Sequence, residues 1–197
     1  MNLVKGLGSL LIVLFYGSYF SKLLLQRRHG ISTNRLGRGE KPKQTHIIEI
    51  ILKAATFSMA VAQLISLFAG TNGYYLISFD AVRYIGLGIA LAGTGVFITA
   101  MATMKNSWRA GVDASQHTEL IRHGIYRFSR NPAFLGFDLF YMGFTLAFCN
   151  PVILFFLIFC AVLLHLQILE EEKFLPLVFG KEYTNYKKST GRYFLFL

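Results

Sequence analysis

Four long apolar stretches, at residues 7–25, 47–69, 81–104 and 132–169, dominate this chain. A run of about 20 apolar residues crosses the ~30 Å hydrocarbon core of a bilayer at 1.5 Å per residue. The first three stretches have that length, and the fourth is about twice as long. In lipid, every backbone polar group must be satisfied internally, which a helix does within its own segment. Cys149-Asn150-Pro151 interrupts the fourth stretch near its middle, and Asn-Pro is a turn signal. The sequence therefore predicts an all-α integral membrane protein of five transmembrane helices, the last two forming a helical hairpin. Residues 170–197 are charged and aromatic, punctuated by Pro176 and Gly180. They are expected to form a helix or two at the membrane surface.

Charge supports the same reading. Charged residues make up only 15% of the chain, against about 25% in an ordinary soluble domain, which excludes a large soluble enzyme and a disordered chain. The net charge of +10 is concentrated between apolar runs. Residues 26–46 carry Arg27, Arg28, Arg35, Arg38, Lys41 and Lys43 against one acid, Glu40, and residues 105–131 carry Lys105, Arg109, Arg122, Arg127 and Arg130. Segments 70–80 and 149–151 have no lysine or arginine. Basic loops face the cytoplasm, so the N-terminus is expected outside and the C-terminus in the cytoplasm. No basic stripe interleaves with aromatics outside the apolar segments, which argues against nucleic acid. The basic residues follow the first run, as in a retained helix and unlike a signal peptide. Short length and minimal loops point to a prokaryotic plasma membrane. Cys149 and Cys160 show no CxxC and no metal-ligand spacing, so neither a disulfide nor a metal is expected. One membrane domain, 1–197, accommodates all of this, with three spans in 1–104 and the chemistry in 105–197.

Polar groups inside a membrane are expensive and ask for a reason. Glu49 and Lys53, four apart on one helix, are expected to pair. Asp138 sits about six residues into the fourth stretch and must face protein or a cavity, where it lines a site or stays protonated. His165 and Gln167 precede Glu170-Glu171-Glu172. These carboxylates are either a solvated helix end or a binding place for a cationic ligand. The segment 122–132 is dense in arginine and aromatics, the composition of an interfacial anchor. Gly86 and Ala90, and Gly88 and Ala92, are spaced for close helix packing. An ion path through Asp138, Glu49 and His165 would make a transporter, but transporters usually show internal repeats, and this chain shows none.

Three motifs in order then narrow the reading. They are Gly124-Ile125-Tyr126, Arg130-Asn131-Pro132-Ala133-Phe134-Leu135-Gly136, and Glu171-Glu172-x-x-Leu175-x-x-x-Phe179-Gly180-x-x-Tyr183-x-x-Tyr186 with Arg192. Together with Asn106-Ser107-Trp108, they resemble the isoprenylcysteine carboxyl methyltransferase family and its phospholipid and thiol methyltransferase relatives. The resemblance covers roughly residues 105–193. It implies an integral membrane enzyme using S-adenosylmethionine, in which a cytoplasmic C-terminal helix completes the cofactor pocket. Carried over, the cofactor-binding residues are Thr118, Glu119, Leu120, Ile121, Tyr126, Asn131, Pro132, Ala133, Phe134 and Glu171. Glu171, Asp138 and Gln167 are the candidate catalytic residues. The expected partners are the lipid bilayer and a lipophilic or small methyl acceptor. The prenylcysteine enzymes carry an arginine where this chain has Gln167, and an amide cannot make the bidentate pair that arginine offers a carboxylate. That departure turns the expectation toward phospholipid amines, small thiols or another lipid-soluble nucleophile. The alternative is a non-enzymatic membrane protein of the same fold.

Overall fold

The structure is a computed structural model, and it describes residues 3–68, 75–77, 79–111 and 119–194. Five helices account for most of them. These are α1 (Leu3–Arg28), α2 (Lys43–Phe68), α3 (Asp80–Met104), α4 (Pro132–Ala147) and α5 (Pro151–Ser189). Among the described residues no strand forms. α1, α2, α3 and α5 are long and apolar enough to cross a membrane. α4 is apolar but has 16 residues, a rise of ~24 Å, so it falls short of the full core on which five equal spans depend. The chain is an integral, multi-pass membrane protein.

The expected turn between α4 and α5 is present. Asn150 caps α5, its side-chain oxygen accepting the N–H groups of Val152 and Ile153 at 3.1 Å each, with Pro151 in the first turn where its missing N–H costs nothing. The C-terminal region departs from expectation. No new helix starts at residue 170; α5 runs on through Pro176. The break comes at Gly180, with φ 55° and ψ −128°, a conformation open to glycine and strained for other residues. A span uses roughly 20 residues, so α5 leaves the apolar layer near Leu169, and residues 170–189 project past it at the end of the molecule where the basic loops lie.

α4 lies along α3, α5 along α2, and α1 packs on α3. Glycine makes the first contact possible. A Cβ on Gly143 would stand 2.3 Å from Ala90 N and 2.5 Å from Gly86 O, and one on Gly93 would stand 2.5 Å from Phe140 N. Gly86 and Ala90 therefore do the close packing expected of them. Gly88 and Ala92 do not: Gly88 has nothing within 4 Å of its missing Cβ, and both residues are exposed. A step of two residues on a helix turns the side chain by ~200°, so the two pairs cannot share a face. Phe15 of α1 stacks on Phe140 of α4 with centroids 3.9 Å apart, and Phe97 and Phe137 complete this aromatic core.

The two basic segments are clipped together. Arg35 N–H donates to the Ala110 carbonyl at 2.8 Å, and Ala110 N–H to the Thr33 carbonyl at 3.0 Å. Buried Gln26, at the end of α1, donates to the carbonyls of Lys105 and Trp108. Together these segments form one end wall of a cavity inside the bundle.

Candidate active site

Glu170, Glu171 and Glu172 are consecutive on α5, so their side chains leave the helix about 100° apart, and each meets a different environment. Glu170 accepts from Thr45 Oγ1 and from Lys173 Nζ, each at 2.6 Å. Glu172 is clamped by Arg192, whose Nε and Nη2 donate to its two oxygens at 3.0 Å each. Arg130 lies at 3.0 Å and Lys187 at 3.3 Å from the same carboxylate. Burial alone would raise the Glu172 carboxyl, but the Arg192 hydrogen bonds and the Arg130 charge outweigh it and hold it below the ordinary range. Among the described residues no cation clamps Glu171 in this way, and of the nearby charges only that of Lys41 acts to lower its carboxyl. Burial pushes its carboxyl up to about 7; a hydrogen bond from Gln167 opposes the shift and the nearby Glu49 charge adds to it. Of the three, it alone is on the wall of the cavity.

That cavity encloses about 960 Å³, the upper end of the ~300–1,000 Å³ usual for ligand sites. Gln167 Nε2 donates to Glu171 Oε1 at 3.2 Å and to Glu49 Oε1 at 3.4 Å. Among the described residues, the buried Gln167 Oε1 has no hydrogen-bond partner. Glu49, fully buried, also accepts Gly37 N–H at 2.7 Å and the Lys41 ammonium. The expected Glu49–Lys53 pair is therefore not made: Lys41, from the folded-back basic segment, takes the carboxylate.

The cavity gathers most of the residues named from sequence. Glu119, Leu120, Ile121, Tyr126, Asn131, Ala133, Phe134, Gln167 and Glu171 all line it. Thr118 lies outside the described residues. Pro132 is not on the wall; it is buried in the first turn of α4. Asp138 is also not on the wall. It lies near Cys160, Tyr141 and Tyr193, and among the described residues its buried Oδ1 has no hydrogen-bond partner. Asn131 also has a structural role, because its Nδ2 donates to the Arg192 carbonyl at 3.0 Å and ties the C-terminal segment to the start of α4. Tyr186 does the same for the Tyr126 turn, donating to the Tyr126 carbonyl at 2.6 Å. Burial raises the Tyr126 phenol well above its ordinary range, so it stays neutral.

Leu175, Phe179, Tyr183 and Tyr186 also line the cavity. They are the lettered positions of the C-terminal motif, so their spacing had already marked them. Trp108, Arg109 and the α1 residues Tyr16 and Tyr19 line it too. The α1 residues carried no signal beyond a hydrophobic run. Among the described residues, no group of three His, Cys, Asp or Glu side chains could hold a metal.

The family model described as phospholipid methyltransferase matches residues 82–182, a little over half of the chain. A probable protein-S-isoprenylcysteine O-methyltransferase from Oryza sativa subsp. indica is 32% identical over 143 residues, covering 70% of this chain and 73% of its own. The chain belongs to the isoprenylcysteine carboxyl and phospholipid methyltransferase family. The protein-S-isoprenylcysteine O-methyltransferase of Saccharomyces cerevisiae is 30% identical over 122 residues, 59% of this methyltransferase-family chain and 50% of its own. The solved structure of a eukaryotic intramembrane Ras methyltransferase, isoprenylcysteine carboxyl methyltransferase, aligns with a TM-score of 0.55. It is 23% identical and the match covers 71% of this chain and 50% of that one, so this family member spans half the length of that protein and shares its fold. These relatives are eukaryotic, and they lend no support to the expected prokaryotic membrane. The matched residues include nearly all of α3, the whole of α4 and Glu171 on the cavity wall.

Proposed function

We propose that this chain is a membrane methyltransferase that binds S-adenosylmethionine at the Glu171 end of the cavity and methylates a lipophilic acceptor. The observation that carries the reading is Glu171: an unclamped carboxylate on a cavity wall, one hydrogen bond from a buried amide whose oxygen has no partner. A sulfonium and an ammonium on one ligand suit that pair, the carboxylate offering charge and Gln167 Oε1 a neutral acceptor. The faces of Tyr126 and Phe134 on the same wall suit a cation as well. Leu120 and Ile121 bring backbone donors and acceptors for the edge of a purine. When bound, S-adenosylmethionine supplies an electrophilic methyl carbon. The protein's part is then to align a nucleophile with it and keep water out. Most of the remaining wall is apolar, with one face from α1 and one from α2. Those two helices barely touch, which supports entry of the acceptor from the lipid side. A protein of the same fold without catalysis is the second reading, and it would bind no S-adenosylmethionine.

The Glu171 carboxyl gives a pH test. Raised to about 7, it is neutral below that pH and anionic above it, and a cationic ligand favours the anion. Affinity for S-adenosylmethionine is therefore expected to rise with pH below the raised carboxyl and to level off above about 7, with proton release on binding throughout the rise. Glu171→Gln should flatten the climb. Isothermal titration in buffers of different ionisation enthalpy measures both. A pH-independent affinity with no proton release would contradict the assignment.

Asp138 gives the opposite test. It is off the cavity wall, so Asp138→Asn is expected to leave both the affinity for S-adenosylmethionine and the transfer of labelled methyl into a lipid extract within about two-fold of wild type. A ten-fold loss of transfer with unchanged affinity would return Asp138 to the catalytic residues.

A further inference from the structure

Glu49 is a fully buried carboxylate that the methyl-transfer reading leaves unused. It stands behind the cavity wall and not on it. Its ion pair with Lys41 is equally enclosed, with side-chain exposures of 3% for Lys41 and 0% for Glu49. Burying a pair of charges is costly and seldom adds net stability, so such a pair asks for another reason. The cation arrives on the folded-back segment, where Lys41 Nζ also donates to the Arg35 carbonyl at 2.8 Å. Lys41 and the Gly37 N–H both hold Glu49 Oε2. Oε1 is therefore the oxygen that faces Gln167 Nε2, at 3.4 Å. Gly111 closes the space beside it: a Cβ there would stand 3.0 Å from Glu49 Oε1.

We propose that Glu49 is a positioning residue that fixes which way the Gln167 amide faces, so that the cavity meets its oxygen and selects a hydrogen-bond donor on the ligand. This rests on the methyl-transfer reading for the identity of that donor, the ammonium of S-adenosylmethionine. The two ends of a primary amide have nearly the same shape, so its neighbours decide its direction, and a carboxylate only accepts. With Nε2 placed between Glu49 and Glu171, both of its hydrogens are taken and the oxygen is left for the cavity. Glu171 alone would not fix this direction. Its carboxyl, raised to about 7, can accept or donate on either side of neutral pH. Glu49, tied to Lys41 and Gly37, supplies the constant acceptor.

The test replaces Glu49 with glutamine. Gly37 N–H and the Lys41 ammonium still require an oxygen on their side, so Glu49→Gln turns an NH2 group toward Gln167. Two donors then oppose each other, and the Gln167 amide is expected to reverse. The probes are S-adenosylhomocysteine and its α-keto analogue, in which an accepting carbonyl replaces the donating ammonium. Both are titrated calorimetrically into protein in lipid nanodiscs at pH 6, where Glu171 can donate to a reversed oxygen. Wild type is expected to prefer the ammonium probe by about ten-fold or more. Glu49→Gln should erase or invert that preference. Gln167→Met should also lose it, and adding Glu49→Gln to Gln167→Met should change it no further. If Glu49→Gln alone does not fold, the double variant Lys41→Met with Glu49→Gln removes both charges and carries the same prediction. No preference in wild type, or an unchanged preference in Glu49→Gln, would overturn the proposal. So would an equal effect of Glu49→Gln in the Gln167→Met background, which would show that Glu49 acts by its charge and not through the amide. Failure of folded wild type to bind either probe would instead sink the methyl-transfer reading, and this inference with it.

Discussion

Glu171→Ala is expected to weaken S-adenosylmethionine binding by ten-fold to a hundred-fold while leaving the protein folded. A charge-assisted hydrogen bond contributes about 1.5–3 kcal/mol, and about 1.4 kcal/mol is ten-fold in affinity. The neighbouring carboxylates provide the control. Glu172 holds Arg130 and Arg192 in place, so Glu172→Ala leaves the buried Arg130 side chain and the half-buried Arg192 without their carboxylate and is expected to lower the unfolding temperature. Glu171→Ala removes a carboxylate that burial already disfavours in its charged form, so the fold should keep or gain stability at neutral pH. The sign follows from linkage: a carboxyl raised in the folded state contributes its stability at low pH and loses it as pH rises through about 7. Titration calorimetry and thermal unfolding of the two variants separate the roles. Unchanged affinity in folded Glu171→Ala would remove Glu171 from the ligand set.

Gly143→Ala is expected to be among the most destabilising single-methyl changes in the chain. Its Cβ would meet Ala90 N, Gly86 O and Ala90 Cα at 2.3, 2.5 and 2.9 Å, all backbone atoms that cannot rotate aside. Overpacking costs about 1–3 kcal/mol where side chains yield, and here α3 and α4 must part. Gly88→Ala, on the same α3 but facing open space, should be neutral or stabilising by about 0.5–1 kcal/mol through lost chain entropy. Apparent unfolding midpoints in one detergent compare the pair. Equal midpoints would contradict the glycine-to-backbone packing of α3 on α4.

The helices were legible in the sequence because length and apolarity suffice to define a span, and α2 and α3 fall within a few residues of the runs that predicted them. Of the two residues that punctuate the tail, Pro176 removes one hydrogen bond without stopping the helix, and Gly180 makes the break. Within the site, Tyr126, Asn131, Ala133 and Phe134 line one cavity with Glu171, far away in the chain. Asp138 does not, because a position along a span fixes depth and leaves the facing direction open. The Glu49–Lys41 pair was invisible for a related reason: residues 26–46 fold back over the end of α2, and a helical i, i+4 rule knows nothing of a loop that arrives from outside the helix. Lys53 is left on the cavity wall as a consequence.

The decisive measurement is calorimetric titration of S-adenosylmethionine, and of its demethylated product, into the purified wild-type protein in lipid nanodiscs. Saturable binding of both at one site is expected, in the micromolar range, and tighter above the raised Glu171 carboxyl of about 7 than below it. Absence of binding by protein that unfolds cooperatively on heating would contradict a methyl-donor site at Glu171, and the family resemblance would then describe the fold of this chain without its chemistry.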